Sequence, residues 1–232
     1  MPTIKELRSS ISDHGFGFRR PILDYIALPI TKLFITLRMT PNMITHLYFI
    51  LCLLGAWILR TGRYWDMIIG ISIFTWAYLI DISDGQVARY TKKQSYKGQY
   101  LDYVYHWIAN TILLFSLWVA LSPSESYNIL VTLTIILYLL NKIININCFW
   151  PGDEKTYEKL NKKILQPHNN KDTSSSFLKT IIKIEEPINL MTILIIIHQA
   201  ELIIPVYFLF FIASFIKRLT TNIKSLEKTT YD

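Results

Sequence analysis

Between Asn42 and Ile216 the sequence is built from apolar runs about as long as a lipid bilayer is thick. A helix rises 1.5 Å per residue, so about 20 apolar residues carry it across the hydrocarbon core. One run covers Asn42 to Leu59 and is stopped by Arg60, Gly62 and Arg63. A second runs from Tyr64 to about Ala88, and a third from Gly98 to Leu121, before Ser122-Pro123-Ser124. A fourth spans Tyr127 to about Asn147, closed by Pro151-Gly152. The last stretch, Ile188 to Ile216, is too long for one span. Its interruption at His198-Gln199-Ala200-Glu201 predicts two short helices joined by a tight turn. The expectation is an all-α integral membrane protein with six transmembrane helices. Composition agrees: 51% of the 232 residues are hydrophobic and only 18% are charged, against about 25% charged in ordinary globular domains. That excludes a disordered chain or a collagen-like fibre. Six Trp, fourteen Tyr and twelve Phe suit aromatic belts at the two water–lipid boundaries.

The net charge of +7 points to an anionic membrane surface rather than to nucleic acid, because of where the cations fall. Twenty-one of the 24 Lys and Arg lie in residues 1–41, 89–97, 149–184 and 217–232. Only Arg60 and Arg63 lie on the opposite side, and Lys142 is inside the fourth span. The positive-inside bias puts both termini in the cytoplasm, in a bacterium at the cytoplasmic membrane. The first forty residues lack the early apolar region of a cleavable signal. The expected organisation is a leader over 1–41, a six-helix transmembrane domain over 42–217 and a tail over 218–232. Within the leader, Ile22, Ile26, Ile30 and Phe34 recur every four residues among Arg19, Arg20, Asp24 and Lys32. This is an amphipathic juxtamembrane helix, lying on the inner membrane face or packed across the base of the bundle. The polar stretch Asn169 to Ser176 reads as a loop. Cys52 and Cys148 are far apart and imply neither a disulfide nor a metal framework.

Charges inside a membrane helix cost several kcal/mol and usually mark function. Here Asp81-Ile-Ser-Asp84-Gly85-Gln-Val-Ala88-Arg89 is followed, eight residues on, by Gly98-Gln-Tyr-Leu-Asp102-Tyr-Val-Tyr-His106. On helices, Asp81, Asp84 and Ala88 share one face, and Asp102 and His106 share another. Two antiparallel helices joined by Tyr90 to Lys97 would bring both faces together near the membrane surface. Carboxylates that close repel one another unless cations sit between them. Hard oxygen ligands suit Mg²⁺ or Mn²⁺. Gly85 and Gly98 let a phosphate chain approach the backbone, and Arg89 offers a fork for a phosphate oxygen. Metals, carboxylates and an arginine together make a clamp for a diphosphate.

The run D-x2-D-G-x2-A-R-x8-G-x3-D resembles the signature of the CDP-alcohol phosphatidyltransferase (phosphotransferase) family. Asp81, Asp84, Gly85, Ala88, Arg89, Gly98 and Asp102 match seven of its eight fixed positions. Thr40-Pro41-Asn42, ahead of the first span, is also similar to that family. The resemblance implies that Asp81, Asp84 and Asp102 hold the metal or metals that bind the donor diphosphate. It implies that Gly85, Ala88 and Gly98 make room for the cytidine and its phosphates, with Arg89 on a phosphate. The implied reaction is attack by an acceptor hydroxyl on the phosphorus distal to cytidine, releasing CMP, in phospholipid or related polar-lipid synthesis. The partners would be a CDP-linked donor (CDP-diacylglycerol or a CDP-alcohol) and an alcohol acceptor, one of them a lipid. Family members often form dimers.

At the eighth position, where the family places a fourth Asp assigned as general base, this chain has His106. Three readings stay open. His106 is the base, with an ordinary pKa of about 6.5 that lies nearer neutrality than an Asp near 3.9. Alternatively it is a metal ligand, which moves preference from Mg²⁺ towards Mn²⁺ or Zn²⁺. Or the change has silenced catalysis, leaving a protein that binds a CDP-lipid or nucleotide. An ion-coupled transporter also uses intramembrane Asp and His, although the cluster lies at one end of the spans rather than along a path. An EF-hand does not fit, because Gly85 is fifth from Asp81 and position twelve is Lys92.

The weaker candidates each have a plain structural reading. Lys142 binds the acceptor or a phosphate, or snorkels from the end of the fourth span. Glu186, beside Glu185 and before Pro187, touches a polar acceptor or favours a helix N-terminus. His46 faces the cavity or is a satisfied bundle histidine. His14, His168 and His198 fall in loops.

Overall fold

The structure, a computed structural model, describes residues 2–11, 19–121, 124–149 and 187–229. All regular structure among them is helical. A short α1 (Ile4–Leu7) leads into a 3₁₀ turn (Arg8–Ser10), then α2 (Arg19–Thr36), α3 (Pro41–Leu59) and α4 (Tyr64–Tyr90). These are followed by α5 (Tyr96–Leu121), α6 (Glu125–Phe149), α7 (Pro187–Ile196), a 3₁₀ turn (Ala200–Leu202) and α8 (Ile203–Thr229). Five segments among the described residues are long and apolar enough to cross a membrane: Pro41–Leu59, Tyr64–Tyr90, Lys97–Leu121, Glu125–Ile143 and Ala200–Thr220. The first four match the expected runs. The break at His198 is also present, with His198 at φ 57 and the Gln199 N–H donating to Leu194 O at 2.8 Å. The two helices it separates are unequal, contrary to the expected short pair. α7 has 10 residues and α8 has 27, so α7 is only about 15 Å long, half a bilayer core.

Local chemistry sets the helix ends. Thr40 caps α3 by accepting the Met43 N–H, and Pro41 occupies the first turn, where its missing donor costs nothing. The α3–α4 turn passes through Gly62 at φ 71, where an added Cβ would lie 2.6 Å from Ala120 O, so only glycine fits. α4 runs unbroken through Asp81 and Asp84 and ends at Lys92 (φ 54), with the Lys93 N–H returning to Ala88 O at 2.9 Å.

The helices group into two compact units. The first contains α1 to α5 and α7. Its centre is the α3–α4 crossing, where an added Cβ on Gly55 would lie 2.8 Å from Gly70 O, and one on Gly70 2.7 Å from Gly55 O. Backbones this close need small residues, as packing between helices in lipid favours. Outward-facing Trp57 and Trp76 are 64% and 61% exposed, a surface suited to hydrocarbon. α7 is fixed to the start of α4 by Tyr64, whose hydroxyl donates to Ile196 O at 3.1 Å and whose ring stacks on His198.

α2 packs against α4 through a face that includes Ile30 and Phe34 of the expected stripe but not Ile26. Ala27, Leu28, Thr31 and Phe34 are buried, whereas Ile26 is 49% exposed. The reason is polar as well as apolar. Thr31 Oγ1 donates to Gln86 Oε1 at 2.6 Å, and Gln86 Nε2 donates to Asp24 O at 2.9 Å. The small Ala27 and Thr31 let these buried bonds form, and Tyr25, Ile26 and Leu33 remain as an exposed apolar face.

The second unit contains α6 and α8. Asn141 Nδ2 on α6 donates to Phe211 O on α8 at 2.9 Å, and the Tyr138 and Phe211 rings meet at 5.4 Å.

Candidate active site

α3, α4 and α5 alternate in direction, so the start of α3, the end of α4 and the start of α5 meet at one end of the first unit. A cavity of about 220 Å³ opens there. Its wall includes Asp81, Asp84, Gly85, Ala88 and Arg89 from α4, and Gly98 and Asp102 from α5. Pro41, Asn42 and Thr45 of α3 complete it, with Lys93 from the turn after α4. The volume falls below the roughly 300–1,000 Å³ of pockets that engulf whole small molecules. It suits the polar head of a ligand whose remainder lies elsewhere. A larger hollow of about 550 Å³, around Glu6, Arg38 and Tyr90, holds none of the α4 or α5 carboxylates.

Three ligand-bearing side chains converge. His106 Nε2 lies 3.0 Å from Asp81 Oδ1 and 3.4 Å from Asp102 Oδ1. One donor atom from each of Asp81, Asp102 and His106 lies within 4.8 Å of the others. A cation bonded at about 2.1 Å holds its ligands roughly 3–4 Å apart, so small side-chain adjustments would close the set around one ion. Two carboxylates and an imidazole supply suitable donors for Mg²⁺ or Mn²⁺. Asp84 lines the same cavity, one turn further along α4. Its Oδ2 accepts a hydrogen bond from Thr45 Oγ1 at 2.7 Å.

The anion-binding side of the cavity is equally well formed. Two helix N-termini, of α3 at Pro41–Asn42 and of α5 at Ser95–Gly98, border it, and such termini attract negative charge. Arg89 adds a guanidinium, held in place because its Nε donates to the carbonyl of Ser10. The 3₁₀ turn after α1 thus braces the arginine. Gly85 is occupied differently from the bare surface expected: an added Cβ would lie 3.2 Å from Arg89 Nη1, so the glycine seats the guanidinium. At Gly98 an added Cβ would meet Ser95 Oγ at 3.0 Å and Asn42 Oδ1 at 3.1 Å. The cavity thus brings a guanidinium and two helix N-termini together with the carboxylates.

Of the remaining candidates, Lys142 and His46 are among the described residues. Lys142 is on α6, in the second unit, with Nζ 5.4 Å from the Tyr138 ring. Glu185 and Glu186 fall outside the described residues. His46 accepts or donates at 2.8 Å with Tyr105 Oη, a satisfied histidine. Sequence reasoning missed Thr45 and Tyr48. Tyr48 is buried, with its hydroxyl 3.2 Å from His106 Nδ1. The signal was present: Pro41, Thr45, Tyr48 and Cys52 recur at helical spacing on one face of an otherwise apolar span.

A family model described as CDP-alcohol phosphatidyltransferase matches residues 38–216, well over half of the chain. No curated protein matches it.

Proposed function

Because the chain belongs to the CDP-alcohol phosphatidyltransferase family, and so is an integral membrane transferase, we propose a specific reaction for its cavity. A substituted phosphate passes from a CDP-linked donor to an acceptor hydroxyl, with release of CMP, in lipid synthesis. The observation that carries this reading is the convergence of Asp81, Asp102 and His106 beside a cavity lined by Asp84 and Arg89.

Asp81, Asp84 and Asp102 hold one or more divalent cations, Mg²⁺ or Mn²⁺, with His106 as a further ligand or as the base. Bound there, the cation supplies Lewis-acid polarisation of the phosphate. Arg89 and the N-termini of α3 and α5 bind the phosphate oxygens and orient the donor. Ala88 and Gly98 line the wall beside the nucleotide, and Gly85 seats the Arg89 guanidinium. The acceptor oxygen bonds to the phosphorus distal to cytidine, and the bond from that phosphorus to the bridging oxygen breaks. CMP leaves with the bridging oxygen, and the acceptor proton passes to His106 Nε2. The cavity size suits entry of polar heads only, with the lipid chain of one partner in the bilayer. On this reading the site faces the cytoplasm, where the excess of Lys and Arg lies.

Binding of the nucleotide without transfer is a second reading, favoured by one observation. His106 is absent from the cavity lining, and its Nε2 is engaged by Asp81. The test is CMP release by purified protein in lipid, offered a panel of CDP donors, a crude acceptor extract, and Mg²⁺ or Mn²⁺. Metal-dependent CMP that vanishes in Asp84→Asn is expected, and the donor that works assigns the lipid side. Donor binding with no CMP from any donor would overturn transfer in favour of binding.

A further inference from the structure

Arg89 places a guanidinium in the cavity wall, and what holds it comes from far away in the chain. Its Nε donates to the carbonyl of Ser10, 79 residues earlier. A guanidinium is planar, so a bond at Nε fixes where the Nη end points. That end lies over Gly85, where an added Cβ would be 3.2 Å from Nη1 and 3.6 Å from Nη2. Ser10 is placed by its own segment. Thr3 and Glu6 form a capping box, with the Glu6 N–H donating to Thr3 Oγ1 at 3.2 Å and the Thr3 N–H to Glu6 Oε2 at 3.0 Å. Leu7, which ends α1, is 0% exposed, and the buried Ser10 donates its hydroxyl back to Leu7 O. α1 packs against α2, and the 3₁₀ turn packs against α4. A helix of four residues does not hold together alone, so docking keeps it in place. The family match begins at residue 38. A residue of the matched motif is therefore braced from outside the matched region.

We infer that residues 2–10 are a positioning element for the donor phosphate: Ser10 holds Arg89 through its carbonyl, and Leu7 anchors the segment. This rests on the reading of Arg89 as a phosphate-binding group. A long arginine side chain has many rotamers, and fixing them beforehand leaves less entropy to lose when the anion binds. The brace raises affinity for the phosphate without touching it. Because it acts on a group that binds the donor, its effect falls on donor affinity rather than on the acceptor or on the bond-breaking step.

The test deletes residues 2–10, and separately makes Leu7→Asn and Leu7→Met. Asparagine puts an amide at a buried apolar site with no change of charge, while methionine keeps the apolar bulk. The probe is CDP with Mg²⁺, whose Kd is read directly on protein in lipid. The deletion and Leu7→Asn should each raise that Kd about 10- to 100-fold, the range for loss of a hydrogen bond to a charged group. Leu7→Met should stay within threefold. In turnover, the donor KM should rise with the CDP Kd, while kcat and the acceptor KM stay within threefold. A merely loosened fold would move all of them together, and that result overturns the inference. In an Arg89→Met background, which keeps the stem and removes every N–H, the deletion should cost less than threefold. An equal cost in both backgrounds, or an unchanged Kd on deletion, overturns the inference as well. Should the parent release no CMP from any donor, the transfer reading fails, while CDP binding still decides the role of residues 2–10. A parent that does not bind CDP overturns both.

Discussion

Thr45→Val removes one hydroxyl and little else. Thr45 is 3% exposed, and Val has nearly its shape, so the helix packing of α3 persists. What disappears is the hydroxyl that donates to Asp84 Oδ2 at 2.7 Å and, within α3, to Pro41 O at 3.0 Å; only the first reaches the site. Hydrogen bonds to charged groups contribute about 1.5–3 kcal/mol, and each 1.4 kcal/mol is a factor of about ten. If that bond orients Asp84 towards a cation, its loss should raise the metal concentration for half-maximal CMP release by about 10- to 100-fold. This matches the usual effect of removing a partner that orients a ligand. Thr45→Ser keeps the hydroxyl and should stay within threefold of the parent. The assay titrates Mg²⁺ and Mn²⁺ against CMP release, with thermal unfolding measured alongside to separate a loose site from a loose fold. A valine variant with parental metal dependence, or a serine variant as impaired as valine, would refute the reasoning.

Three further outcomes follow from the same geometry. Divalent metal should raise the unfolding temperature of the parent, by the equivalent of about 2.7 kcal/mol at one hundred times its Kd, and Asp81→Asn should abolish the rise; a rise of equal size in both proteins would remove Asp81 from the metal set. Gly70→Ala should destabilise by about 1–3 kcal/mol, because its Cβ would lie 2.7 Å from Gly55 O and 2.8 Å from Leu59 Cβ. Unchanged unfolding in detergent would show that α3 and α4 can separate freely. Gln86→Leu should remove both bonds that Gln86 makes at the α2–α4 contact, while Thr31 Oγ1 keeps its bond to Ala27 O, costing about 0.5–1.5 kcal/mol per lost bond. The readout is faster proteolysis of α2, and an unchanged rate counts against the polar dock.

The spans were legible because lipid demands long apolar runs, and residues such as Arg60, Arg63 and Pro151 punctuate them. The carboxylates were legible for the opposite reason: Asp81, Asp84 and Asp102 are costly where they stand. What escaped was pairing. The four-residue period in α2 caught Ile30 and Phe34 of the docking face but not Ala27 and Thr31, which serve closeness and a bond to Gln86, neither of which has a hydropathy signal. Thr45 and Tyr48 were hidden similarly. Each is an unremarkable residue in an apolar helix until its partner, Asp84 or His106, is known to lie across the gap.

The arrangement also explains why charged groups can persist so close to hydrocarbon. All of them lie within a few turns of one end of α3, α4 or α5, where water and lipid headgroups lower the cost of a charge. The N-termini of α3 and α5 border the same cavity, so their positive ends face the acids that α4 and α5 contribute. Arg89 is tied to the Ser10 carbonyl and seated over Gly85, which fixes the guanidinium at the cavity wall. His106 lies deeper, on the side of the acids where Tyr48 and Cys52 are buried. A carboxylate at that depth would add a third negative charge beside Asp81 and Asp102. A neutral histidine adds none. The substitution of imidazole for carboxylate at position 106 thus suits the local electrostatics.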